Sequence, residues 1–218
     1  MNELLPRLSA LDTGALSDVL DREGIEGAVR GLNRLSGHAK VVGRAVTVEL
    51  GLFTGAVPDR HLCSSAVDSS DGDSVIVVAN EGRTDAASWG GILSFGAVER
   101  GVAGVVIDGA TRDLDEVIEL GLPLYAKTAV PVSARGRYVE VGWNRPVKMN
   151  GVTVRPGDFI IADASGVMVI PAERAEHLVA VAEEVVAAEK ALVEQVRSGR
   201  AVSAVMGKNY ETLAQAEA

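Results

Sequence analysis

The chain has 218 residues, enough for one domain with a sizeable core or for two small ones. Apolar residues make up 47% of it and aromatics only 4%, which leaves too few stacking side chains for a single-stranded nucleic-acid platform. With 21 basic against 30 acidic residues the formal charge is −9, a surface that repels phosphate backbones and sets nucleic acid aside as a partner.

One cysteine, Cys63, excludes an internal disulfide framework and a cysteine-based zinc cluster. The opening MNELLPRLSALD has no apolar signal-like core and no apolar run reaches membrane length, so a soluble, cytoplasmic protein with no membrane partner is expected.

In chain order, Thr13 to Arg22 (TGALSDVLDR) predicts a short helix with Leu16, Val19 and Leu20 on one side and Gly24 beyond its end. Val41 to Leu50 reads as a strand, and a helix is expected near His61 to Val67. The turn Asp71-Gly72-Asp73 then launches a buried strand, Ser74 to Ala79. Ala86 to Glu99 has helical spacing but carries Gly90-Gly91 near its start. Each glycine costs a helix interior roughly 1 kcal/mol relative to alanine, so the helix is expected to begin at or just after the pair. Its free amides would then make a natural anion site; tight helix packing without a ligand is the alternative.

GVAGVVIDGATRD, Gly101 to Asp113, organises the middle of the chain. Its apolar part, Val102 to Ile107, reads as a buried strand ending on Asp108-Gly109. DLDEVIELG reads as a helix with Asp113 as N-cap and Gly121 as stop. Arg112 and Asp113 therefore lie where a buried strand gives way to a helix. A cation and a carboxylate there suit an anionic substrate and a metal; the plainer reading is a helix cap and a surface ion pair.

Leu122 to Ala126 and Val130 to Ser133 predict short strands, and Asn150-Gly151, inside the Pro/Gly/Asn-rich stretch 142–157, predicts a hairpin. Two further strands, Phe159 to Ala162 and Val167 to Ile170, are joined through Asp163 to Gly166. From about Ala172 to Ser198 a long helix is expected, ended by Gly199. Leu178, Ala182, Val185, Leu192 and Val196 line one of its faces, with Glu189 in the middle of the stripe. A carboxylate there is costly unless partnered, so Glu189 either edges out to water or meets a polar site where the helix docks. The tail from Arg200 carries little pattern. No repeat and no linker divides the chain, so a single domain over 1–218 is expected.

No phosphate-binding loop, dinucleotide fingerprint, serine-hydrolase elbow or zincin motif occurs. His38, His61 and His177 are scattered, and His61 near Cys63 reads as incidental. Lys127, flanked by apolar residues, offers a Schiff-base alternative.

Three stretches together, WGGILS (89–94), GVVIDGATRD (104–113) and GDFIIADASGVMVIP (157–171), resemble a known family. It is that of the 4-hydroxy-4-methyl-2-oxoglutarate/4-carboxy-4-hydroxy-2-oxoadipate aldolases and the regulator of ribonuclease E activity A. The resemblance runs from TGALSDVL to the long helix ending in SGR. It implies an α/β fold, a single compact layered β/β/α domain with a long C-terminal helix, assembled as trimers or as hexamers of trimers.

By the same resemblance Arg112 and Asp113 match the catalytic pair, with Asp113 the direct ligand of a divalent metal, Mg²⁺ or Mn²⁺. Backbone amides of Gly90, Gly91, Ile92 and Leu93 would bind the 2-oxo-carboxylate end of the substrate. Glu189 would complete the site from a neighbouring subunit. Catalytic members typically carry Asp or Glu where this chain has Gly91, an acid that helps hold water at the metal. The implied function is a metal-dependent lyase that releases pyruvate from 4-hydroxy-2-oxo acids and decarboxylates oxaloacetate. A non-catalytic, protein-binding regulator of the ribonuclease type is the other expectation.

Overall fold

The computed structural model describes residues 3–56 and 58–206. Two helices, α1 (Leu4–Ser9) and α2 (Thr13–Arg22), precede strands β1 (Ala28–Val29), β2 (Asn33–Ser36) and β3 (Val41–Leu52). Then come α3 (Ser64–Ser69), β4 (Ser74–Ala79), β5 (Ala87–Trp89), α4 (Gly91–Glu99), β6 (Gly104–Thr111), α5 (Leu114–Glu119) and β7 (Leu124–Ala129). Strands β8 (Tyr138–Trp143), β9 (Val147–Met149), β10 (Val152–Val154), β11 (Phe159–Ala162) and β12 (Val167–Ile170) lead to α6 (Ala175–Arg197) and the short α7 (Val202–Val205).

The main sheet is mixed and curled, in the order β1-β12-β11-β3-β4-β6-β7-β2, with β5 also paired to β6 and β8 to β3. Its centre, β3, β4, β6 and β7, is parallel. Parallel strands covered on both faces read as unbroken apolar runs, and all six residues of β4 and all eight of β6 are buried. Alternate residues feed opposite cores. Ile76, Val78, Val105 and Ile107 pack with Trp89 and the helices α3 to α5. Val75, Val77, Ala79 and Val106 face the opposite side, where Val147, Met149, Val152 and Val154 of the β9–β10 hairpin pack with them. On β11 and β12, Phe159, Ile161, Met168 and Ile170 turn to a third core built with α1, α2 and α6.

The expected α/β class and long C-terminal helix are present, and several elements fall where the sequence places them. Helix α2, strand β4, the β11–β12 pair and the hairpin agree with expectation. Asn150 and Gly151 both take positive φ, 46° and 96°, as a two-residue turn between twisted strands requires.

Three expectations change, and one strand was not foreseen. The stretch Val130 to Ser133 forms no strand: Pro131 offers no N–H to a ladder, and the stretch meets its neighbouring strands through Val130 N–H, donated to Thr111 O, and Val132 O, accepting from Ala87 N–H. The predicted helix near His61 starts at Ser64, after Cys63 in a left-handed conformation. Asp108-Gly109 is no turn but lies within β6, at a register shift against β7 between Ile107 and Ala110. There Gly109 admits the Arg83 carbonyl, which a Cβ would approach to 3.0 Å. Strand β8, its apolar run interrupted by Glu140 and Gly142, escaped the sequence reading. The end of the tail, 207–218, lies outside the described residues. No helix among the described residues is long and apolar enough to cross a membrane.

Candidate active site

Strand β5 runs parallel to the end of β6, so the two chains leave the sheet side by side, one as Gly90-Gly91 and the other as Arg112-Asp113. Arg112 N–H donates to Trp89 O at 3.0 Å, which locks the two exits together. Buried Trp89 donates its indole N–H to Ser94 Oγ at 2.8 Å, and Ser94 N–H bonds Gly90 O, so the first turn of α4 is fixed from beneath.

Gly90 is the N-cap residue of α4 and the helix starts at Gly91, as the glycine pair predicts. Neither glycine is in the left-handed region. The space beside both glycines is taken by the ends of neighbouring side chains. A Cβ on Gly90 would lie 2.8 Å from Asp113 Oδ2 and 3.3 Å from Arg112 Nε; one on Gly91 would lie 1.9 Å from Glu116 Oε2.

Asp113 corrects the sequence reading. It has φ 55°, a left-handed conformation, and its side chain makes no capping bond to its own helix α5. Its Oδ2 instead accepts the Gly91 N–H of α4 at 2.9 Å and lies 3.3 Å from Arg112 Nε. The carboxylate thus sits at the positive end of the neighbouring helix, beside an arginine, while both side chains stay more than one-third exposed. Since the Gly91 amide is committed to Asp113, the α4 amides without an acceptor among the described residues are those of Ile92 and Leu93.

These groups border a cavity of about 490 Å³ lined by Trp89 to Leu93, Arg112, Asp113, Glu116, His61 and the 133–135 segment with Arg135. Arg112, Asp113 and Glu116 also wall a second hollow of about 470 Å³ over Ala129 to Pro131. The three charged side chains form a partition reachable from both sides.

The structure therefore brings together Gly90, Gly91, Ile92, Leu93, Arg112 and Asp113. It does not bring Glu189 to them. That residue is half-buried on α6, which packs on α1 and α2 of its own chain. Burial, and then the Asp12 and Asp18 carboxylates, push the Glu189 carboxyl above its ordinary range. The polar neighbourhood it meets is one of like charge.

The sequence reading missed Glu116. Its spacing from Asp113, D-x-x-E, is that of a capping box and points to a structural role; only the fold turns its carboxylate over Gly91. Lys127 is engaged elsewhere. Its ammonium lies 3.1 Å from Oδ1 of Asp108, itself 2% exposed, an ion pair rather than a well-directed hydrogen bond. An amine held against a buried carboxylate is ill-placed to act as a neutral nucleophile.

Among the described residues no three His, Cys, Asp or Glu side chains gather as a metal cage. A metal at Asp113 would have that one carboxylate and take its remaining ligands from water and substrate. The side-chain-free cradle at Gly90 and the all-oxygen donor set fit Mg²⁺ or Mn²⁺.

Similarity to known proteins covers the segments that build this site. Over 179 residues, 82% of this chain, it is 32% identical to protein DlpA of Legionella pneumophila, although the match spans only 29% of DlpA. It is 35% identical over 136 residues, 62% of this chain and 78% of the other, to 4-hydroxy-4-methyl-2-oxoglutarate aldolase of Thermus thermophilus. The fold superposes with a TM-score of 0.79 on Streptomyces coelicolor RraAS2, described as an unusual member of the RNase ES inhibitor RraA protein family. There the identity is 26%, with 87% of this chain and 95% of the other covered. The family model described as Aldolase/RraA matches residues 13–169, a span that holds α2, the glycine pair, Arg112-Asp113, β11 and all but the last residue of β12, and the chain belongs to this RraA-like family.

Proposed function

We propose that the protein is a divalent-metal-dependent lyase that cleaves 4-hydroxy-2-oxo acids to pyruvate and decarboxylates oxaloacetate at the same site. The observation that carries this reading is the packing of Arg112 and Asp113 over the Gly90-Gly91 backbone, beside the free amides of α4. Aldolase names among its relatives support the lyase class.

The residues divide the work by their chemistry. The amides of Ile92 and Leu93, at a helix start, receive the substrate carboxylate. Asp113, oriented by the Gly91 N–H and Arg112, would hold the metal, which when bound supplies Lewis-acid stabilisation of negative charge on the keto oxygen. The Arg112 guanidinium faces the same region and stabilises the enolate that forms when the bond to C3 breaks. Both reactions share that enolate, so one site serves both.

A homo-oligomer, trimer or hexamer, is part of the proposal. Ile92 and Phe95 on α4 are 92% and 57% exposed beside the cavity, an apolar rim that a second copy would cover. Within one chain Glu189 does not line the cavity, so its part in the site requires the α6 of another subunit.

The test is a screen of 2-oxo acids with Mg²⁺ and Mn²⁺, reading pyruvate. Release that depends on the metal supports the lyase. No release from any substrate, with binding to a ribonuclease, would favour the regulator reading that the likeness to RraAS2 supports.

A further inference from the structure

Aldol cleavage needs a group that takes the proton of the 4-hydroxyl; decarboxylation does not. The pair Arg112–Asp113 is poorly suited to it, because a guanidinium keeps its protons and the Asp113 carboxylate is already bound by the Gly91 amide and Arg112. Glu116 is differently placed. It sits in the first turn of α5, and because Asp113 does not cap that helix, no reciprocal capping bond engages it. Its carboxylate has no hydrogen-bond or ion-pair partner among the described residues, yet it lines the cavity shared by Arg112 and the α4 amides.

The space it occupies is that of an absent side chain. A Cβ at residue 91 would stand 1.9 Å from Glu116 Oε2, closer than the two atoms can approach, and 3.1 Å from its Cδ. The backbone of Gly91 is outside the left-handed region, so no conformational demand calls for glycine. Glycine at 91 leaves that space open to the Glu116 carboxylate, whose flexible end would have to move aside for a Cβ.

We propose that Glu116 is the carboxylate that meets the substrate's 4-hydroxyl group and takes its proton, and that Gly91 is the residue that admits it. This rests on the lyase reading above. The hydroxyl O–H bond breaks to Glu116, the C4–O bond becomes a carbonyl, and the C3–C4 pair passes into the enolate of pyruvate. The proton then returns to C3, from Glu116 or solvent, to give the methyl group, so no other reactant is needed.

Two substitutions test it from opposite sides of the contact. Glu116→Gln removes the acceptor; Gly91→Ala leaves the acid but forces its flexible end out of place. Both variants and their double are assayed with 4-hydroxy-4-methyl-2-oxoglutarate and oxaloacetate, and Mn²⁺ binding is measured by calorimetry. The ratio of aldol to decarboxylase kcat should fall by about 10²–10⁴-fold in Glu116→Gln, the range of general-base catalysis. Gly91→Ala should lower the ratio in the same direction, the double variant should be no worse than Glu116→Gln, and Mn²⁺ affinity should hold within a few-fold in all three. A parental ratio in either single variant overturns the proposal, and so does an equal fall on both substrates with weakened Mn²⁺ binding. A parent protein active on oxaloacetate alone also overturns it while leaving the decarboxylase reading in place. Activity on neither substrate fails the lyase reading itself.

Discussion

Asp113 holds a left-handed backbone conformation that costs a residue with a Cβ of order 1–3 kcal/mol, and it gains no cap on its own helix in return. Strain of that kind persists where the surroundings over-determine it, here through the Gly91 amide and Arg112. Asp113→Asn keeps the shape and an acceptor for Gly91 but removes the charge. It should abolish metal-dependent pyruvate release while the unfolding midpoint moves little; full activity in the variant would remove Asp113 from the metal. Arg112→Lys should be nearly as damaging as Arg112→Ala, since a point charge on a flexible stem does not replace a planar fork. A loss of roughly 10²–10³ in kcat is expected, by analogy with removal of one oxyanion-hole donor, and steady-state kinetics of the two variants side by side decide it. The same geometry changes the meaning of Gly91. The position lacks an acid of its own, but the space an acidic side chain would enter is filled by the carboxylate of Glu116.

Two elements carry titratable groups whose effects on stability have opposite signs. At the β11–β12 turn, Asp163 loses hydration on burial, but Thr13 N–H and hydroxyl and Ser165 N–H bond it and hold its carboxyl below the usual range. A depressed carboxyl contributes stability above its unfolded pKa, about 3.9, and loses it as pH falls through the lower folded value. Asp163→Ala should therefore cost about 1–3 kcal/mol at pH 7, as hydrogen bonds to a charged group do. In urea titrations its deficit should shrink well below pH 4. On α6, Glu189 is raised by burial and by Asp12 and Asp18. A raised carboxyl destabilises the folded chain when ionised, and the penalty fades as pH falls through the folded pKa. Glu189→Gln should melt higher than the parent at pH 7 and converge with it near pH 4. Loss of activity in the same variant, with the melting point raised, would mark its role as one in a neighbouring subunit's site.

Across the whole molecule, the charged groups of the candidate site lie outside the three cores, while Trp89 belongs both to the first core and to the cavity wall. Trp89 and the strand residues are buried, whereas Asp113 and Glu116 are exposed at the rim. Metal removal should accordingly abolish turnover without unfolding the chain. The stability lost is bounded by mass action, about 2.7 kcal/mol at a metal concentration 100 times Kd. EDTA followed by pyruvate assay and circular dichroism checks both halves. Borohydride with substrate should leave activity intact, because the Lys127 ammonium is held by buried Asp108; mass-spectrometric trapping on Lys127 would overturn that.

Much of this was legible in the chain itself. Unbroken apolar runs such as SVIVVA and GVVI announce strands buried on both faces, because periodicity and β-branching act locally. Asn150-Gly151 and Gly90-Gly91 announce a turn and a helix start for equally local reasons, positive φ in one case and helix propensity in the other. The adjacency of Arg112 and Asp113 is a property of sequence. What only the tertiary structure decided depends on residues far apart in the chain. Strand β5 beside β6 sets the Gly91 amide against Asp113, 22 positions away, and so converts an expected helix cap into a bridge between two helices. The fold places Glu116 over Gly91 by the same pairing, a contact no spacing rule foretells. It also seats Glu189 beside Asp12 and Asp18 rather than at the arginine, because α6 must bury its apolar stripe on α1 and α2.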